Sequence, residues 1–259
     1  MMNVLHLVLA LLPLFVLSGP DDTNMRIVEG GGAGTWKAVI VEPASLPGVR
    51  IYAPANLRAA ADKTSLPVVL FEGPDKETYE KYLNQIASSG YVVVHAAGQE
   101  PDVLLDILRV TPEVYSGWRG DLIDWDHVAV ISTIGADTIL PSQAPATVIY
   151  LHSSGPSFQA PYLFLVGGMD FELMLSVEDR FSEPEDVFVA AAIYPAGAEG
   201  TFSEPFGGSY AMLTVQWLEW RLKDITWART IFTGEDCICV YTGWGIKYKN
   251  ENTVLQDQP

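Results

Sequence analysis

The sequence predicts a single α/β domain: a mostly parallel central sheet with helices on both faces. Short apolar runs alternate with stretches of helical spacing along most of the chain. The runs are apolar throughout, not at every second residue, as expected of strands covered on both sides. With 259 residues, 49% hydrophobic and 18% charged, the chain has enough apolar material for one core and too little charge for disorder.

The elements run in order along the chain. Residues 37–42 (KAVIVE) and 49–52 read as early strands suited to an antiparallel edge. Residues 66–71 (LPVVLF) form a buried-strand run that ends in Glu72-Gly73-Pro74. Residues 76–89 then have helical spacing, with Tyr79, Tyr82, Leu83 and Ile86 on one face and Gly90 as the stop. Residues 91–95 (YVVVH) are a strand and 103–110 a helix. Strands are expected at 127–131 (HVAVI), 147–152 (TVIYLH), 162–166 (YLFLV) and, as the last, 187–193. A helix over 212–223 closes the core, with Leu213, Trp217 and Trp220 apolar. Trp217, Trp220 and Trp227 are expected to pack in the core and not to form a stacking platform. Residues 30–34 (GGGAG) precede every core strand, so they read as a lead-in and not as a phosphate loop. The acidic run 178–186 reads as a solvated loop, or as a lid over the site.

Charge and leader constrain the compartment and the partners. A net charge of −17 lacks the basic footprint of nucleic-acid binding and opposes docking on an anionic membrane. Residues 4–17 are almost wholly apolar and are followed by Ser18, Gly19 and Pro20. That run is too short to span a bilayer and suits a secretory signal, here expected over residues 1–18 and cleaved. The mature chain, residues 19–259, is then one secreted or lumenal domain with no membrane attachment. On a secretory route the two cysteines, Cys237 and Cys239, are free to pair, although a bridge between residues two apart is tight. They do not make a metal site, because two thiolates without partners leave a zinc shell incomplete. No metal or cofactor is expected.

In a parallel sheet, ligands bind outside the carboxyl ends of the strands. That rule nominates Glu72, His95, Ser132 to Gly135, His152 and Asp170.

The chain resembles a group of microbial secreted α/β-hydrolases. The phrases that carry the resemblance are, in order, WKAVIVEPASLPGVRIYAPANL, LPVVLF, YLNQIASSGYVVV, DLIDWDHVAV, LFLVGGMD, FGGSYAMLTVQWLEWRLKD and IFTGEDCIC, with GW and KYKN near the end. The resemblance implies an α/β-hydrolase fold and a nucleophile elbow, Gly-x-Ser-x-Gly, after HVAVI. Here that position reads Ser132-Thr133-Ile134-Gly135-Ala136, placing Ile134 where the nucleophile belongs. Isoleucine has neither a proton to lose nor a lone pair. Asp170, after LFLVGG and Met169, matches the acid of the triad. The base is expected in the loop after the last strand, where Ala198 stands and no histidine occurs. The turn implied to supply oxyanion donors reads Glu72-Gly73-Pro74-Asp75, with a proline lacking its N–H and two carboxylates.

These departures weigh against conventional serine-hydrolase chemistry. The leading expectation is non-hydrolytic chemistry on a small molecule in an apolar pocket: cyclisation, elimination or isomerisation of a natural product, as in secondary metabolism. His152 and Asp170 are the first catalytic candidates, with His95, Glu72, Thr133 and Ser132 as helpers and Ile134 and Ala198 as pocket wall. One alternative is a pseudoenzyme that binds a ligand or partner without turnover. Another is an esterase with a shifted Thr133 or Ser132 nucleophile, its base drawn from His152 or His127.

Overall fold

The computed structural model describes residues 24–27, 32, 34–61, 65–73, 77–95, 98–143, 145–155, 159–182, 186–195, 201–235 and 237–250. The strands are β1 (Asn24–Ile27), β2 (Ala38–Glu42), β3 (Arg50–Pro54), β4 (Leu66–Glu72), β5 (Val92–His95), β6 (Ile123–Ser132), β7 (Thr147–Leu151), β8 (Tyr162–Gly167), β9 (Val189–Tyr194) and β10 (Gly245–Lys249). The helices are α1 (Leu57–Ala60), α2 (Glu80–Ser88), α3 (Pro101–Val110), α4 (Phe171–Ser182), α5 (Gly208–Lys223), α6 (Thr226–Arg229) and α7 (Ile238–Thr242).

The strands form one sheet in the order β1-β2-β3-β5-β4-β6-β7-β8-β9-β10. From β5 to β9 every neighbouring pair is parallel, whereas β1, β2, β3 and β10 are joined antiparallel at the flanks. Consecutive residues of the central strands enter opposite cores. Val69, Phe71, Val93, Ala129, Ile131, Ile149 and Leu163 pack with Tyr82, Leu83 and Ile86 of α2 and Leu213, Trp217 and Leu218 of α5. Val68, Leu70, Val92, Val94, Val128 and Val130 pack with Leu104, Leu105 and Leu108 of α3. On that same side of the sheet Val148, Tyr150, Phe164 and Val166 meet Val177 of α4. Period-two side chains with both faces covered explain the uninterrupted apolar runs.

Polar groups join the helices to the sheet inside this core. The Trp217 indole N–H donates to Thr147 Oγ1 at 2.8 Å. Tyr82 and Thr214 share a buried hydroxyl–hydroxyl bond of 2.7 Å that ties α2 to α5. Helix α5 starts hard against α2: a Cβ on Gly207 would stand 2.5 Å from the Tyr82 Cα, and Gly207 has φ +74°. Only glycine meets both demands.

Several sequence expectations are corrected, among them the strand expected over 127–131, which begins four residues earlier at Ile123. The strand over 187–193 is not the last, because β10 comes after it and pairs antiparallel with β9. β10 is mostly exposed and carries Lys247 and Lys249 on the sheet edge, so it lacks the apolar signature of a buried strand. The acidic run is helical as far as Ser182, as the end of α4, which buries only Val177 and so shows little helical pattern. Trp217 and Trp220 are buried as expected, whereas Trp227 is 59% exposed. The run 30–34 does not precede every strand, because β1 comes before it and pairs with β2; it is described at Gly32 and Gly34, and the Gly34 N–H donates to Ser88 Oγ at 3.1 Å. Cys237 and Cys239 form a disulfide just before and within the first turn of α7. Among the described residues, no helix is long and apolar enough to cross a membrane. The expected signal over residues 1–18 lies outside the described residues.

Gly207→Ala should lower the unfolding free energy by about 2 kcal/mol or more, because strain and collision coincide there. Gly98→Ala is the control: φ is +77° but nothing lies within 4 Å of the added Cβ, so only the backbone cost of about 1 kcal/mol is expected. Urea midpoints of the two variants measure the difference; equal losses would refute the close-packing argument.

Candidate functional site

The carboxyl ends of the parallel strands bring most of the nominated residues into one row. His95 ends β5, Glu72 ends β4, Ser132 ends β6, His152 comes directly after β7, and Asp170 comes three residues after β8. Local bonds stitch the row together. His95 Nε2 lies 2.9 Å from the Gly73 carbonyl, which makes Nε2 the donor. The Thr133 N–H donates to the Glu72 carbonyl at 2.9 Å, and Thr133 Oγ1 donates to the same oxygen at 3.3 Å. Ser153 Oγ donates to the Ser132 carbonyl at 3.1 Å, carrying the row from β6 to the residue after His152.

His152 and Asp170 come closest to a catalytic pair. Nε2 of the imidazole lies 3.6 Å from Asp170 Oδ2, and the two side chains are 38% and 39% exposed. The other carboxylate oxygen, Oδ1, accepts the Leu173 N–H at 3.0 Å and caps the start of α4. Asp170 is therefore held by a helix terminus while its second oxygen faces the ring. At 3.6 Å the pair is beyond hydrogen-bond reach, so Asp170 acts on the ring through its charge alone.

His152 also has φ +49°, a left-handed conformation that costs a residue with a Cβ about 1–3 kcal/mol. Its N–H nevertheless bonds the Leu165 carbonyl at 2.8 Å, so β8 holds the strained residue in place. Such strain gathers at functional positions.

Glu72 is the buried acid of the row, 8% exposed. Burial pushes its carboxyl up from the ordinary 4.5 to about 7, the Ile139 N–H pulls the other way, and the Glu100 carboxylate adds to the rise. The Ile139 N–H donates to Glu72 Oε2 at 3.2 Å, which brings the loop after β6 over the strand end. The crossover from β4 leads to β5 on one side, while β6 leads to β7 on the other. The topological switch point thus falls between Glu72 and Ser132. Glu72 belongs to β4 and His152 lies just past β7, two strands away, or about 10 Å at the usual strand spacing. Among the described residues no hydrogen bond or ion pair joins them.

The hydroxyls are engaged. Ser132 is fully buried, its Oγ lies 2.7 Å from Thr138 Oγ1, and it accepts the Ile134 N–H at 3.2 Å. Ile134 is 38% exposed, with φ −99° and ψ 0°, an unstrained turn conformation. The turn continues as a 3-10 segment, Gly135–Asp137, and among the described residues no α-helix lies between β6 and β7. The strand-to-helix elbow implied by the resemblance is therefore absent from this crossover; the positive φ of the turn belongs to Gly135. Ala198, Pro74 and Asp75 lie outside the described residues. His127, the alternative base, lies midway along β6, five residues before Ser132, where Nδ1 lies 2.8 Å from Asp124 Oδ2.

Sequence reasoning missed the supporting residues Ser153, Thr138 and Ile139. A serine after a strand and an amide in a loop carry no periodic signal; only the fold brings them under the strand ends. Among the described residues no cluster of His, Cys, Asp and Glu could hold a metal ion. No protein-family model and no curated protein matches the chain.

The folded carboxyl of Glu72 titrates above its unfolded value, so its contribution to stability is full below about pH 4.5 and is lost as pH rises through about 7. Glu72→Gln should therefore match the native protein in thermal midpoint near pH 4.5 and exceed it increasingly toward and above about pH 7. A difference independent of pH would show that the carboxyl titrates normally. Replacing His152 by Gly should relieve the backbone strain and stabilise the fold by about 1 kcal/mol, measured in urea. A loss of similar size would mean that the side chain holds the fold and is not strained.

Proposed function

We propose that the chain is a secreted α/β-hydrolase-like protein repurposed for non-hydrolytic proton transfer on a small molecule, in the manner of a cyclase, lyase or isomerase. The observation that carries this reading is the His152–Asp170 pair: 3.6 Å apart, partly exposed, at neighbouring strand ends, with His152 in a strained conformation.

In the proposed step His152 Nδ1 takes a proton from the substrate, and Asp170 orients the ring and offsets the imidazolium charge as it forms. Glu72, which retains a proton to about pH 7, is the second proton-transfer group on the same edge. Thr133 and His95 act as helpers that fix the ends of β6 and β5, and Ile134 offers apolar surface beside them. The order of the parallel strands supports an α/β-hydrolase-like scaffold, since it sets the acid-bearing strand end next to that of His152. The engaged Ser132 and Thr133 hydroxyls and the unstrained Ile134 weigh against an acyl-enzyme route. The secretory assignment rests on the apolar run over residues 4–17.

Two reporter reactions test the proposal. Ring opening of 5-nitrobenzisoxazole begins with removal of a proton from carbon, whereas p-nitrophenyl acetate reports ester hydrolysis. The elimination should fall by about 10²–10⁴-fold in His152→Ala and by about tenfold or more in Asp170→Asn, with ester hydrolysis negligible throughout. Asparagine still caps a helix, so Asp170→Asn tests the charge without removing the α4 cap. Unchanged elimination in both variants defeats the site assignment. Robust ester hydrolysis lost in Thr133→Ala would establish the shifted-nucleophile alternative instead.

A further inference from the structure

A cavity of about 130 Å³ lies between α3, β6 and the loop after β6. At ~30 Å³ per water it has room for about four waters, or one small organic molecule. It is a surface cleft with Asp106, Arg109 and Asp126 exposed to solvent. Both oxygens of Asp102, in the first turn of α3, accept the Ser142 N–H at 2.8 and 3.0 Å, so the loop is pinned to the helix.

The lining carries both signs of charge with capacity to spare. Arg109 Nη1 is 3.8 Å from Asp106 Oδ1, too far for a hydrogen bond, and the two side chains are 42% and 75% exposed. Asp126, on β6, accepts no side-chain hydrogen bond among the described residues. Trp125 supplies an aromatic wall, with the Arg109 guanidinium carbon 5.9 Å from the ring centre and the indole N–H donated to the Gly120 carbonyl at 3.1 Å. Leu105, Val128 and Pro141 complete an apolar side. Behind Trp125, at 6.4 Å between ring centres, lies Trp118, whose buried indole N–H has no hydrogen-bond partner among the described residues.

We propose that this cleft binds a small zwitterion with one ammonium and one carboxylate group, an α-amino acid about the size of alanine. Arg109 takes the carboxylate, Asp106 and Asp126 take the ammonium, and the apolar side takes the side chain. A lone anion would face the carboxylates of Asp102, Asp106 and Asp126, and a lone cation would face Arg109; the Ser142 N–H already occupies Asp102, which leaves Asp106 and Asp126 for the ammonium. A ligand carrying both charges meets each with its complement and adds no net charge to a protein already at −17.

Isothermal titration of the full chain with L-alanine tests this, with ethylamine and propionate as single-charge probes and Trp fluorescence as a second readout. L-alanine should bind with a dissociation constant below about 1 mM, and each single-charge probe at least about tenfold more weakly. Arg109→Gln and Asp126→Asn, both at exposed positions, should each weaken L-alanine binding by about tenfold or more. His152→Ala should leave it unchanged, which separates this site from the strand-end chemistry. Equal affinity for either single-charge probe overturns the proposal, as does unchanged affinity in both cleft variants. The absence of heat and fluorescence change at about 10 mM L-alanine does so too.

Discussion

The two-sided burial of the parallel strands governs everything else in this protein. From β5 to β9 successive side chains enter opposite cores, where a polar group without a partner is costly. Thr147 illustrates the rule: it is fully buried, and its hydroxyl both donates to the Pro161 carbonyl and accepts the Trp217 indole N–H. Helices are needed on each face, so the connections pass over the sheet and the parallel strands all end at one edge. Reactive side chains are displaced to that edge, where a strand has left the core and the backbone turns.

The edge carries two costs that the core sustains. His152 is held at φ +49° by its bond to the Leu165 carbonyl, so the rigid β7–β8 pairing supports the strain. Glu72 is buried as an acid with a raised pKa and accepts one amide, from Ile139. A protein optimised for stability alone would place glycine at the first position and an amide or apolar group at the second. Both conflicts fall at strand ends, on either side of β6 in the sheet order.

Most of the fold was legible in the sequence because burial on both faces leaves a continuous apolar run. LPVVLF, YVVVH and YLFLV become central strands close to their expected bounds, whereas HVAVI is the second half of a longer strand that begins at Ile123. Elements that bury little were not legible. β10 is an exposed edge with two lysines, and α4 buries one residue of twelve, so neither repeats its apolar residues at the spacing that betrays a strand or a helix. The elbow expected at Ile134 failed for a different reason. Resemblance locates a position in a chain, but turn geometry depends on the neighbouring residues and their bonds. Here Ile134 leads into a 3-10 segment, and the bonded Ser132–Thr138 pair closes the turn.

By itself the sequence determined the α/β class, the approximate strands and the polar residues that must sit where strands end, since these arise from local periodicity and the exclusion of charge from a core. It also placed His152 and Asp170 on successive strands. Only the tertiary structure decided that Asp170 turns one oxygen to the start of α4 and the other to His152, and that Glu72 is buried under Ile139. It alone joined Arg109, Trp125 and Asp126 across one cleft. Orientation, burial and juxtaposition are set by groups distant in the chain, through the register of the sheet and the path of its loops, and no local pattern encodes them.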